Sequence, residues 1–491
     1  MIAKTVLRED DPATTESAAA GRPRAAWHGP ETGIPFRRML RNAALVLGGK
    51  AATALVNLAA TALALRSLGV ESYGLLVLVH AFVQTAGGVV KFQSWQAVLR
   101  YGAPCLEHGR RAEFRALLRF TGGLDLASAL AGSAACAALA YLLGPVFGWP
   151  AELMPAAALY ATSVAFRVMA MPTGLLRLFD RFDLLAKRDS AGAVVRLIGA
   201  AAAAAMGGGL LAFMTAWYAG AATGGAMLVA TAWRELRRRG LAGPMPGPRL
   251  RATAAHPGIW RFAWTTNLAT TLSLAHSHGG TLMVGALLGP AEAALYAVAR
   301  QIGDGILRPS QFLTPAIYPE LARLLAAGRP DRARALALRS TAVAAGGAGA
   351  LLAALALLGE PLLRLVGGPP ATAAHGVAVS LGAAAAIGFA SFALEPLLIS
   401  VGRPSAALRA RAAGALAYVP AALGGIWLAG LAGAGLASIA AALVMLAGQA
   451  IPAARWLRAA AAGQGGEATC RPAPAGGSSN AGGIVTGAPS S

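Results

Sequence analysis

Acidic side chains are scarce in this chain. Its 491 residues hold 21 Asp and Glu against 42 Lys and Arg, and charged residues of both signs together make up only 13%. With 56% hydrophobic residues and a mean hydropathy of +0.57, the chain falls outside the soluble globular range and reads as a membrane protein. Cysteine is nearly missing. Cys105, Cys136 and Cys470 are an odd number with neither CxxC nor metal-ligand spacing, so the sequence indicates no disulfide framework and no zinc site, and no metal or cofactor is expected. No P-loop is present, so direct use of ATP is not expected. A net charge of +21 and a pI near 11.2 would point to nucleic acid in a soluble protein. Here the arginines are spread at intervals between apolar spans, which makes them topology signals, and nucleic acid is not an expected partner.

Runs of roughly 20 mainly apolar residues, the length a helix needs to cross a bilayer, recur from Asn42 to Trp456. They lie near 42–68, 72–90, 119–144, 151–175, 190–207, 209–232, 262–287, 292–317, 340–358, 372–398, 407–428 and 431–456. The connections alternate in character. One set carries Lys91, Arg100, Arg110, Arg111, Arg115 and Arg119; then Arg177, Arg181, Lys187 and Arg188; then RELRRRG; then Arg323 to Arg339; then Arg403, Arg409 and Arg411. The other set, LGVES, GPVFGWP, MGGG, LLGPAE, LLGEPLLRLVGGPP and AGLAG, holds Arg364 alone. By the positive-inside rule the first set is cytoplasmic. The expected protein is an all-α polytopic membrane protein with about twelve helices and both termini inside. Residues 1–38 lack the pattern of a signal peptide and, like 459–491, are expected to be cytosolic tails without fixed structure. The Pro- and Gly-rich stretch 234–258 reads as a linker between six-helix halves at 39–233 and 259–458, two parallel repeats. A weak echo agrees: ALRSLGVESYGLLVL and VGALLGPAEAALYAV share an LG turn, an acidic residue and a Tyr/Leu continuation.

A charge at the bilayer centre costs about 2.5 to 3.5 kcal/mol on insertion scales, so those retained face protein or water. In the eighth span Arg300, Asp304 and Arg308 share one face at i, i+4, i+8. Two readings stand: a salt-bridge ladder that locks helices, or a cavity wall facing an anionic substrate. Lys50 and Asn57 share a face of the first span, His80 and Gln84 a face of the second, and Arg167 and Arg196 enter the fourth and fifth spans from the basic side. Lys50, Arg167 and Arg196 either line a vestibule or snorkel, and His80 reads first as a hydrogen-bonded core histidine. His276 and His278 are two apart and diverge on a helix, which argues against a shared metal. Asp125, Asp304 and Glu395 are the carboxylates of the spans, candidates for coupling to a cation or for pairing with an arginine. KFQSWQAVLRYG, where the second span ends, reads as an aromatic and basic interface anchor or as a cavity mouth with Arg100 meeting an anionic headgroup.

LRSLGVESYGLLVLV, WQAVLRYGA, TLMVGALLGPAEAALYAVARQI and PAIYPELARL, in this order and spacing, resemble the lipid-linked oligosaccharide flippases of bacterial polysaccharide biosynthesis (Wzx type). That family belongs to a superfamily shared with multidrug and toxin extruders and lipid II flippases, the multidrug/oligosaccharidyl-lipid/polysaccharide (MOP) exporters. The resemblance covers about residues 36–458. It implies two six-helix bundles of MATE-like fold around a central cationic cavity, alternating access, and an inner-membrane location. The implied cargo is an undecaprenyl-pyrophosphate-linked repeat unit, a lipid-linked anionic glycan. Implied partners are membrane lipids, polysaccharide polymerase and chain-length or export machinery. Cationic cavity residues in such a fold would fall among Lys50, Arg100, Arg167, Arg196, Arg300 and Arg308, with no catalytic residue. A multidrug extruder of the same fold is the alternative, though cationic drugs call for acidic cavities. A membrane polymerase or glycosyltransferase would need its chemistry on a sizeable outward loop or an acidic pair, and every outward loop here is short.

Overall fold

The computed structural model describes residues 36–243, 253, 256–267, 279–307 and 310–461. They form helices throughout, and no strand occurs among the described residues. This is what lipid demands, because backbone N–H and C=O groups in hydrocarbon must be satisfied within their own segment. Six helical stretches among the described residues are long and apolar enough to cross a membrane: Gly49–Glu107, Arg111–Phe147, Ala151–Leu178, Pro330–Gly367, Pro369–Ser400 and Pro404–Arg458. The first and last each contain a sharp break and therefore two crossings.

In the first, Phe36–Val90, the break is Gly69, with φ 76° and ψ 173°, inside the LGVES turn. In the last, Pro404–Ala461, it is Ala429 and Gly430, inside AGLAG. Gly289, with φ 98°, plays the part of Gly69 in the second half, between Gly279–Leu288 and Pro290–Leu307. The two echoing LG turns thus share a left-handed glycine, a conformation unfavourable to residues with a Cβ. They also come together: a Cβ at Gly74 would overlap the Pro290 carbonyl.

Phe182–Ala205 and Leu210–Arg238 form a hairpin closed by a short turn at 206–209. They cross so tightly that a Cβ on Gly192 would lie 2.8 Å from the Gly220 carbonyl oxygen. Such small-residue crossings are how helices pack where lipid removes the hydrophobic drive. Of the crossing near 262–287, the structure describes 259–267 as helix and then Gly279–Leu288; His276 and His278 lie outside the described residues.

Two spans expected to be continuous are not. The 151–175 span is divided into Met154–Ala161, Val164–Val168 and Met171–Leu178, with Pro172 at the start of the last piece. The 372–398 span is divided into His375–Ala390 and Leu394–Ser400. Of the span near 292–317 the structure describes Pro290–Leu307 and Ser310–Ala326 as helix. The basic stretch after the second span is itself a helix, Ser94–Glu107.

A large buried cluster joins the halves. It runs from Ala64, Leu76 and Leu78 to Tyr296, Val298 and Ala378, and reaches Trp149 and Ala371 beside the charge-poor connections. The molecule is therefore closed at the end bearing those connections.

Candidate functional site

On the other side of that plug, towards the basic connections, the first half encloses a cavity of about 920 Å³. Its walls come from Phe36–Val90, Val164–Val168, Phe182–Ala205 and Leu210–Arg238, and the second half adds Gly305. Five basic residues line it, Lys50, Lys91, Arg167, Arg188 and Arg196, against the one carboxylate of Asp189. Asp189 accepts a hydrogen bond from Nε of its neighbour Arg188 at 3.0 Å. The cavity thus has a strong positive excess within walls of low dielectric, where opposite charge is attracted far more strongly than in water.

Each arginine is positioned by its helix. Arg188, Gly192 and Arg196 recur at i, i+4, i+8 on Phe182–Ala205, so one face presents two guanidinium groups with a gap between them. Arg196 Nη1 donates to Asn57 Oδ1 at 3.2 Å, its guanidinium stands 5.4 Å from the centre of the Trp217 ring, and its Nε is buried without a hydrogen-bond partner among the described residues. Arg167 leaves two nitrogens, Nε and Nη2, in that condition. Buried donors are almost always met, so an orphaned pair beside a cavity marks a place for an acceptor from outside the chain. Gln84 also lines the cavity; its Nε2 and the His80 ring are 3.4 Å apart, and His80 Nδ1 lies 2.7 Å from the Tyr160 hydroxyl. Thr53 and Ser190, whose hydroxyls are 3.0 Å apart, tie the first helix to Phe182–Ala205 at the mouth.

Next to the basic cavity, and sharing Gly305 with it, lies an apolar groove of about 410 Å³ in the second half. Ile302, Ile306, Leu351, Leu355, Leu358 and Leu362 line it. Leu351 and Leu358 are exposed, so this groove meets the lipid-facing surface.

Of the residues singled out in the sequence, Lys50, Arg167 and Arg196 are thus brought together. Arg100 is not among the lining: its guanidinium packs 4.8 Å from the Phe262 ring centre and 5.5 Å from that of Tyr101. Arg300 Nε and Asp304 Oδ2 are 3.5 Å apart, the ladder's first rung, and neither lines the cavity. Arg308 lies outside the described residues. Asp125 has no arginine partner among the described residues. Its carboxylate accepts the Ser94 hydroxyl and the N–H groups of Ala170 and Met171, at 2.8 and 2.6 Å, which the break before Met171–Leu178 sets free. Glu395 pairs with Arg411 at 2.7 Å, away from the cavity. Sequence reasoning missed Lys91 and Arg188, which read as an interface anchor and a topology residue. The i, i+4, i+8 register of Arg188 with Arg196 was the available signal.

No protein-family model matches the chain. Over 334 residues, 68% of its length, the chain is 33% identical to the inner membrane protein YghQ of Escherichia coli (strain K12), of which the match covers 93%. The chain belongs to the YghQ family. Solved structures place the fold of this YghQ-family member. An inward-facing multidrug resistance MATE family transporter of the MOP superfamily superposes with a TM-score of 0.66 at 13% identity, over 83% of this chain and 95% of that one. An outward-facing MATE transporter gives 0.61 at 16%, over 87% and 97%. The lipid II flippase MurJ in an inward closed conformation gives 0.59 at 11%, over 83% and 87%. The YghQ-family chain is accordingly an all-α, multi-pass membrane protein with the MOP fold.

Proposed function

We propose that this protein is a MOP-type transporter that moves an undecaprenyl-pyrophosphate-linked oligosaccharide from the cytoplasmic to the periplasmic leaflet of the inner membrane, for cell-surface polysaccharide synthesis. The observation that carries the proposal is the cavity with five basic residues and one carboxylate, in which Arg167 keeps two buried nitrogens without hydrogen-bond partners among the described residues. A diphosphate cannot enter hydrocarbon unaided, and fixed guanidinium groups supply the charge that offsets its lost hydration. The adjoining apolar groove, open to lipid, suits the polyprenyl tail of such a cargo. With the basic connections on the cytoplasmic side and both termini inside, the cavity opens inward, which is the leaflet where the cargo is made. The fold occurs in both inward-facing and outward-facing MATE structures, which supports an alternating-access cycle.

The test is a deletion strain. It should accumulate the lipid-linked oligosaccharide on the cytoplasmic leaflet, with rescue by the intact protein but not by the Arg167→Ala/Arg196→Ala variant. Drug sensitivity without accumulation would instead identify a multidrug extruder on the same scaffold.

A further inference from the structure

The sequence spacing of its cysteines indicates no metal site, yet the fold assembles a ligand set away from the cavity. Cys105 lies on Ser94–Glu107, Glu113 in the first turn of Arg111–Leu143, and His256 in the segment that leads into the second half. One ligand atom from each lies within 4.8 Å of the other two, and Cys105 Sγ is 3.9 Å from His256 Nε2. Cys105 and His256 are buried, and the half-buried Glu113 opens the group towards solvent. The Tyr101 ring packs against that of His256, with centroids 5.1 Å apart.

We infer that Cys105, Glu113 and His256 form a binding site for Zn²⁺ that ties the segment joining the halves to the basic side of the first half. Tetrahedral zinc with ordinary Zn–S and Zn–N lengths holds sulfur and nitrogen about 3.6 Å apart. The observed 3.9 Å therefore closes by a few tenths of an ångström. A thiolate, an imidazole and a carboxylate together favour Zn²⁺ over the hard cations Mg²⁺ and Ca²⁺, which take oxygen alone. Three protein ligands leave the fourth position for water, as in open rather than closed zinc sites. Binding forms an S–Zn bond and releases the thiol proton to solvent, so affinity rises with pH. One contact opposes the metal: Arg110 Nη1 holds Glu113 Oε2 at 2.9 Å, and its charge faces the site.

The experiment uses the tag-free full chain in detergent, stripped with chelator, in a Cys470→Ser background so that the remote thiol does not contribute. Zn²⁺ alone is titrated calorimetrically, and Co²⁺ alone is followed by its thiolate charge-transfer absorption. The expected result is one metal per chain, with affinity falling at least tenfold in each of Cys105→Ser, Glu113→Gln and His256→Gln. Arg110→Ala removes no ligand and should bind Zn²⁺ several-fold more tightly, so it tests the site even if a ligand variant misfolds. Absence of stoichiometric binding, of the cobalt–thiolate band, or of any change in Arg110→Ala overturns the assignment.

Discussion

A guanidinium buried in a membrane protein persists only where other groups replace its water, and Arg196 and Arg300 do this in different ways. Arg196 has an amide and an indole face as neighbours and keeps one nitrogen for the cavity, whereas Arg300 sits beside a carboxylate one turn along its own helix. Asp125 is the third case. Its two oxygens bind two backbone N–H groups and a hydroxyl, so it acts as a clamp on the broken span. Asp125→Leu leaves both N–H groups and the Ser94 hydroxyl without their acceptor, and should lower stability by about 1–3 kcal/mol, read as an earlier melting transition in detergent. The sequence marked Asp125 as a charge within a span. Its partners were hidden, because the N–H groups it binds exist only where a distant helix breaks.

Breaks matter equally at the scale of elements. The turns at Gly69 and Gly289 require φ of 76° and 98°, and a Cβ in the left-handed region costs about 1–2 kcal/mol. Gly69→Ala and Gly289→Ala should each lower thermal stability by that amount in a detergent melting series. Gly74→Val should do more harm, since its side chain meets the Pro290 backbone, which cannot swing aside as a flexible side chain would. Its expected signature is a larger loss in melting temperature together with a lower yield of monodisperse protein. These turns were readable as LG motifs because glycine and charge-poor composition mark them locally. The division of 151–175 was not readable, because a hydropathy window averages across a one-residue change of backbone direction.

For the whole molecule, the hydrophobic cluster between the halves shuts one end and the basic cavity opens towards the other. If the basic side is cytoplasmic, a cysteine introduced by Arg188→Cys should react with a membrane-impermeant thiol reagent in inside-out vesicles and not in intact spheroplasts. Labelling from the periplasmic side would reverse the orientation. In a Cys470→Ser background the remaining native thiols, Cys105 and Cys136, are buried, which keeps the labelling background low.

The sequence by itself determined that this is a polytopic helical membrane protein, where its LG turns fall, and that basic residues outnumber acidic ones two to one. Those properties follow from composition and local period, which tertiary contacts do not alter. Only the tertiary structure decided which charges meet. Lys50, Lys91, Arg167 and the Arg188–Arg196 face are distant from one another in sequence yet line one space, while Arg100 and Arg300 lie elsewhere. It likewise brought Cys105, Glu113 and His256 together. The physical reason is common to both: helix packing sets how each face is rotated and where each helix breaks, and neither is encoded in the residues of one span alone.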